Sequence, residues 1–448
     1  MTPDSPTGAR GAAGAGATGT AAAAGIDAIL EAGLLAGLSP AALAEEFGTP
    51  FFVYDLDQIG RRVAALKAVL PRGFRIAFAV KANPSLAVLS YLRGQGLGAD
   101  VASAGELEAV LRAGFDPKTV AMTGPGKRDD ELAAAVAAGI GLITVESPGE
   151  LRRLDAIAAA VGRRQPILLR LAVSEDARLE TVRIIGGVEG KFGMPLHTLV
   201  EAARVAAHSE HVEMLGVHAF GASNLRDSAQ LASHVGDLVE IARQVAVETG
   251  TPLRLVDAGG GLGIPYSSGD RPLDLPRLGR RLTELRARWD GDPALSDLEI
   301  LLEPGRFLVG PAGAYIARIV DVKGPEFAPV AILDGGINHF VRPALVQSEH
   351  RIAVLASDSL RALVHTTVAG PLCTGLDVFT TEAMLPRPRV GDLVALLDAG
   401  AYGFTESMPF FLSHPTAAEV AVCKGRARLI RPRFTPAELL DRQIDPDW

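Results

Sequence analysis

From Tyr54 to about Gly305 the chain repeats one rhythm, a short apolar run followed by an amphipathic, Ala/Leu-rich stretch. Apolar runs fall at 76–80, 142–145, 167–171, 214–218, 253–256 and 299–302, and helical periodicity falls at 59–70, 86–93, 105–113, 129–138, 149–161 and 196–207. A buried parallel strand reads as a continuous apolar run, and a helix that covers it reads as a one-sided stripe. Regular alternation over roughly 250 residues predicts a (β/α)8, TIM-like barrel, with functional groups gathered at the C-terminal strand ends. After Arg306 the helices stop and β-branched runs follow at 314–322, 330–333, 363–368, 393–397 and 419–423, which predicts an all-β domain.

The predicted strand ends carry chemistry. The run from Phe74 to Val80 delivers Lys81, and burial there is expected to lower the amine's pKa so that it attacks an aldehyde as a neutral nucleophile. A lysine closing a strand is otherwise solvated surface. Gly259-Gly260-Gly261 follows another apolar segment and lets backbone N–H groups close on a phosphate, although a glycine triplet is equally a tight turn. Glu303 and Arg306 close the run at 299–302, as site residues or as a surface ion pair.

Phe52-Val53-Tyr54-Asp55, Ala79-Val80-Lys81-Ala82-Asn83, Gly124-Pro125-Gly126-Lys127, Val145-Glu146-Ser147, Lys191-Phe192-Gly193 and Glu303-Pro304-Gly305-Arg306 stand in this order. With Arg342-Pro343-Ala344-Leu345, Cys373 and Asp398-Ala399-Gly400-Ala401-Tyr402-Gly403, they resemble the fold-type III pyridoxal phosphate decarboxylases, the group of diaminopimelate and ornithine decarboxylases. The resemblance runs from about Leu43 to about Pro432. It implies a carboxy-lyase with pyridoxal 5′-phosphate on Lys81, and a discontinuous β domain (β-sandwich or barrel) joined by the segment before Tyr54. The expected divisions are a disordered tail at 1–25, an N-terminal segment at 26–53, the cofactor-binding barrel at 54–305 and the C-terminal β domain at 306–448.

By the same resemblance, Glu303 keeps the cofactor's ring nitrogen protonated, and Gly259, Gly260, Gly261, Ser223, Arg306 and Tyr402 hold phosphate and cofactor. Cys373 protonates the product or shapes the site across a homodimer interface with shared active sites. Where better-known members place a stacking histidine, this chain has Phe220, leaving His218 two residues earlier as either a site or a core residue. Relatives carry an acid after the cysteine that faces a distal ammonium, and this chain has Thr374. Arg342 remains available for a carboxylate, with Arg306 as a second candidate.

These departures favour an acidic aminoacyl group, glutamyl or aspartyl, tethered to an acyl carrier protein in natural-product biosynthesis. Free diaminopimelate, ornithine or lysine is the alternative substrate, a racemase is an alternative reaction, and a non-catalytic cofactor-binding protein is an alternative class. A net charge of −8 without a basic stripe argues against nucleic acid as a partner. Two cysteines, Cys373 and Cys423, argue against a disulfide scaffold and for a reducing cytoplasm. No apolar run predicts a membrane span. His208 and His211 have metal-compatible spacing without a third ligand, and no metal is expected.

Overall fold

The structure is a computed structural model, and it describes residues 34–172, 190–221, 223–267, 269–346, 349–355 and 361–446. The tail expected at 1–25 lies outside the described residues. Eight parallel strands close a barrel: β2 (Phe74–Ala79), β3 (Gly98–Val101), β4 (Val120–Met122), β5 (Leu142–Val145), β6 (Gln165–Arg170), β7 (Val212–His218), β8 (Leu255–Asp257) and β9 (Glu299–Leu302). Several of the intervening helices start where small polar side chains cap them. Ser103, Ser147 and Asp274 each accept a backbone N–H from the first turn of Ala104–Arg112, Pro148–Val161 and Leu275–Asp290.

Strand parity decides what enters the barrel. Ala77 packs inside with Ala121, Leu142, Leu168, Leu255 and Leu301, whereas Ile76 and Phe78 face the helical layer. Ala79 shares the inward parity of Ala77 and is the last strand residue; a single 3₁₀ turn, Val80–Ala82, then carries Lys81 into the cavity above the strand ends.

The remaining strands form a separate sheet ordered β14-β13-β11-β10-β1-β16-β17, with β15 paired to β10 and β12 paired to β15. They are β1 (Phe51–Asp55), β10 (Gly313–Lys323), β11 (Val330–Leu333), β12 (Ile352–Val354), β13 (Leu363–Ala369), β14 (Val378–Pro386), β15 (Leu393–Leu396), β16 (Ala418–Cys423) and β17 (Arg426–Arg431). Strand β1 lies before the barrel in sequence, yet it sits between β10, antiparallel, and β16, parallel, with all five residues buried. The barrel is therefore inserted into the sheet. That return brings the loop after β15 against the lysine turn: the Tyr402 N–H donates to Ala82 O at 2.8 Å, and Asn83 Nδ2 donates to Gly400 O at 3.0 Å.

Candidate active site

A cavity of about 250 Å³ opens at the C-terminal ends of the barrel strands. A larger one, about 720 Å³, lies at the opposite end among Leu70, Phe74, Leu142 and Leu255, away from Lys81. The smaller cavity gathers the groups that the strand ends present. Lys81, His218, Phe220 and Glu303 line it, as do Ser223, Gly260, Gly261, Arg306 and Tyr402. Gly259 does not line it. Its N–H donates to Asp257 Oδ1 at 2.8 Å, and its φ of +65° turns the chain at the end of β8.

Lys81 Nζ lies 3.0 Å from Asp100 Oδ2, at the end of β3. Asp100 is 1% exposed, whereas the lysine side chain is 45% exposed into the cavity. The sequence expectation of a lowered amine pKa is wrong in this setting. Burial does pull Lys81 down, but the charges of Asp100, Glu303 and Tyr402 outweigh it and the net shift is upward. Burial and the Glu303 charge push Asp100 up to about 6, with Lys81 pulling the other way. At neutral pH the pair is ammonium and carboxylate.

Glu303 is buried at the cavity floor, and His218 Nε2 lies 3.8 Å from its Oε2. Burial alone raises this carboxyl; the His218 ring and the Lys81 ammonium more than offset it and hold it at about 2. Burial also drives His218 below its ordinary value, so Lys81 is the permanent cation of the two. Both His218 ring nitrogens and Glu303 Oε1 are buried without a hydrogen-bond partner. Gly260 is required here for packing: a Cβ would stand 2.4 Å from the Glu303 carbonyl oxygen.

On the other side Arg306 donates to Tyr266 Oη at 2.5 Å and to Ser223 Oγ at 3.4 Å, with its guanidinium 4.8 Å over the Tyr402 ring. Arg306 is thus tied to the hydroxyls and not to Glu303. Tyr402 holds a left-handed backbone, φ +55°, uncommon for a residue with a side chain and fixed by its bond to Ala82.

Three expected residues stand apart from this cluster. Arg342 is not free for a carboxylate, because its Nη1 is held by both oxygens of Glu406 at 2.9 and 2.8 Å, above the Tyr402 ring at 4.5 Å. Cys373 is exposed, and Cys373 and Thr374 occupy the turn between β13 and β14, neither lining the cavity. His208 is exposed at its helix end, bonded to Arg204 O.

Sequence reasoning missed Asp100, Asp257, Tyr266 and the Arg170–Glu146 pair. Arg170 lines the cavity and reaches Glu146 at 2.5 Å, while Glu146 also accepts the Gly124 and Gly193 N–H groups at 3.2 and 3.1 Å. Parity along the apolar run at 253–256 was a usable signal for Asp257. Nothing local marked Tyr266.

The chain matches the family model described as pyridoxal-dependent decarboxylase, pyridoxal binding domain, over residues 56–310. It is 35% identical to a diaminopimelate decarboxylase of Methanothermobacter thermautotrophicus, covering 92% of this chain and 96% of that one. It is 30% identical to an L-glutamyl-[BtrI acyl-carrier protein] decarboxylase of Niallia circulans, covering 91% and 95%. Diaminopimelate decarboxylase from Helicobacter pylori, solved in complex with L-lysine, superposes with a TM-score of 0.82 at 30% identity, over 90% of this chain and 98% of that one.

The residues present fit such a cofactor. An amine, a buried carboxylate with an orphaned oxygen and an arginine with a neighbouring hydroxyl surround one cavity, as an aldehyde, a pyridinium and a phosphate require.

Proposed function

Because this chain belongs to the pyridoxal-dependent decarboxylases and is a pyridoxal phosphate-dependent carboxy-lyase, we propose that its substrate is an acidic aminoacyl group, glutamyl or aspartyl, tethered to an acyl carrier protein. The observation that carries this reading is the charge of the cavity wall. Among the described lining residues Glu303 is the one carboxylate, and it lies beside His218 at the floor, while Arg306 supplies a cation and Arg170 is already paired with Glu146. A free diamino acid brings a distal ammonium, and burying it without a counter-charge is costly. Thr374 is neutral where the family resemblance implies an acid, and Glu406 is already taken by Arg342. The Niallia circulans relative named for a glutamyl carrier-protein substrate points the same way.

When bound, pyridoxal phosphate supplies an aldehyde for the amine and a ring that takes up the electron pair left when the α-carboxylate departs. Lys81 would hold the aldehyde, and Asp100 keeps its amine, when free, charged and able to carry a proton. Glu303 would serve as partner to the ring nitrogen. Arg306, Ser223, Tyr402, Gly260 and Gly261 would hold the phosphate, and Phe220 would offer an apolar face to the ring where an imidazole would offer charge. Cys373, exposed in one copy, and Thr374, half-buried beside it, serve the cavity of a second copy in a homodimer. Arg342, held by Glu406, then orients Tyr402 beside the substrate and does not bind its carboxylate directly.

Diaminopimelate decarboxylation on the free amino acid is the second reading, favoured by the 35% identity to an enzyme of that name. Carbon dioxide release from a carrier-loaded glutamyl or aspartyl thioester, compared with free diaminopimelate, ornithine and lysine, separates the two. Release from the thioester alone is expected. Turnover of free diaminopimelate matching that of the thioester would refute the tethered substrate. The Lys81→Ala variant serves as the control and should lose the lysine-bound cofactor absorbance.

A further inference from the structure

Two carboxyl groups meet beneath the cavity floor with more acceptors than donors. Asp257, the last residue of β8, is fully buried; its Oδ1 accepts from the Gly259 N–H at 2.8 Å, and its Oδ2 has no partner. Glu303 Oε1 is likewise buried and unpartnered. Asp257, Glu303 and His218 each contribute a polar atom, all three within 4.8 Å of one another. Two ionised carboxylates there would set like charges close together, each with an orphaned oxygen, and one shared proton relieves both problems.

We infer that Asp257 is protonated in the folded protein and donates to Glu303, so that the two carboxyls carry a single negative charge and Asp257 acts as a positioning residue for the cofactor's ring nitrogen. This rests on the reading of Glu303 as that nitrogen's partner. The surroundings place the proton on Asp257. Glu303 faces Lys81 and His218, which favour its charge, while Asp257 faces Glu303 and Asp100, which oppose its own. Arg170, the remaining nearby cation, bears on His218. Burial raises the Asp257 carboxyl well above its ordinary value and the Glu303 charge adds to the rise. The Gly259 N–H fixes the rotation of Asp257, so its proton points one way. Glu303 is thereby held in place beside His218, while Lys81 has its own counter-ion in Asp100.

Isotope-edited infrared spectroscopy of the full-length, cofactor-loaded protein at neutral pH reads this directly. A carbonyl band of a protonated carboxyl group should be present, should shift when aspartate is carbon-13 labelled, and should vanish in Asp257→Asn. Cofactor affinity is the second measurement, taken by absorbance titration with pyridoxal phosphate. Asp257→Asn keeps a donor toward Glu303 and should bind within about threefold of wild type, whereas Asp257→Ala should bind about tenfold more weakly. Absence of the band, a band that shifts only with labelled glutamate, or a loss of about a hundredfold in Asp257→Asn, which would mark Asp257 as a second required anion, overturns the proposal. A wild-type protein that shows the aspartate band but binds no pyridoxal phosphate would retain the shared proton and refute the role of Glu303 toward the ring.

Discussion

Replacing Lys127 by methionine tests how the loops at the cavity mouth are held. Lys127 and Glu150 are 1% and 4% exposed, with Nζ and Oε1 2.8 Å apart. The ammonium also donates to Gly124 O at 2.6 Å and Thr144 O at 2.8 Å, and Glu150 Oε2 accepts the Glu146 N–H at 3.1 Å. One lysine thus ties the turn at Gly124, which lines the cavity, to the end of β5 and the start of the next helix. Methionine fills similar space but leaves a buried carboxylate uncompensated, a change that costs about 3–5 kcal/mol. Against a total stability of roughly 5–15 kcal/mol this is a large share. Equilibrium denaturation followed by circular dichroism and by fluorescence of Trp289, on the barrel helix Leu275–Asp290, measures it. Adding Glu150→Leu to Lys127→Met should recover most of the loss, because removing both charges is often neutral. A cost below about 1 kcal/mol for Lys127→Met alone, the range of surface pairs, would refute the claim that this pair is desolvated.

Three further outcomes follow from the geometry. His339 and His350 are buried, and burial holds both at about 4 against an ordinary 6.5. Between those values the unfolded chain binds protons that the folded one refuses, so stability falls as pH drops from 6.5 to 4, by up to about 3 kcal/mol per histidine. His350→Phe, which keeps the ring against Tyr266 and Phe340, should remove about half of that decline in acid denaturation; an unchanged slope would contradict the shift. Gly260→Ala should weaken pyridoxal phosphate binding about tenfold and cost about 1–3 kcal/mol, since the new methyl meets the Glu303 carbonyl; wild-type affinity would show that the segment yields freely. Arg306→Lys cannot reach Tyr266 and Ser223 together and should weaken the cofactor at least about tenfold, while Tyr266→Phe should have a smaller effect.

Much of the barrel was legible because its signals are local. The helices expected at 129–138 and 196–207 occur as Asp129–Ala138 and Leu196–Ala207, and those expected at 86–93 and 105–113 lie within a residue of their observed bounds. The strand ends that carry Lys81 and Glu303 were equally readable, since parity and apolar runs survive in one dimension. The strands β3 (Gly98–Val101) and β4 (Val120–Met122) were not among the runs read, because neither presents a continuous run of large apolar residues.

What the chain order alone determined is the inventory: a barrel rhythm, a lysine at a strand end, a glycine segment, an acid and a base at strand ends. What tertiary structure decided is the electrical state of that inventory. Lys81 becomes a stronger base instead of a weaker one because β3 sets Asp100 3.0 Å away, nineteen positions later in the chain. Arg342 is spent on Glu406, sixty-four positions away, and Tyr402 enters the barrel site because β1 closes a sheet on the far side of the inserted domain. Sequence spacing fixes which face a side chain takes within its own element. Charge state depends on the sum of charges and on solvent around a point, and only the folded chain brings those neighbours together.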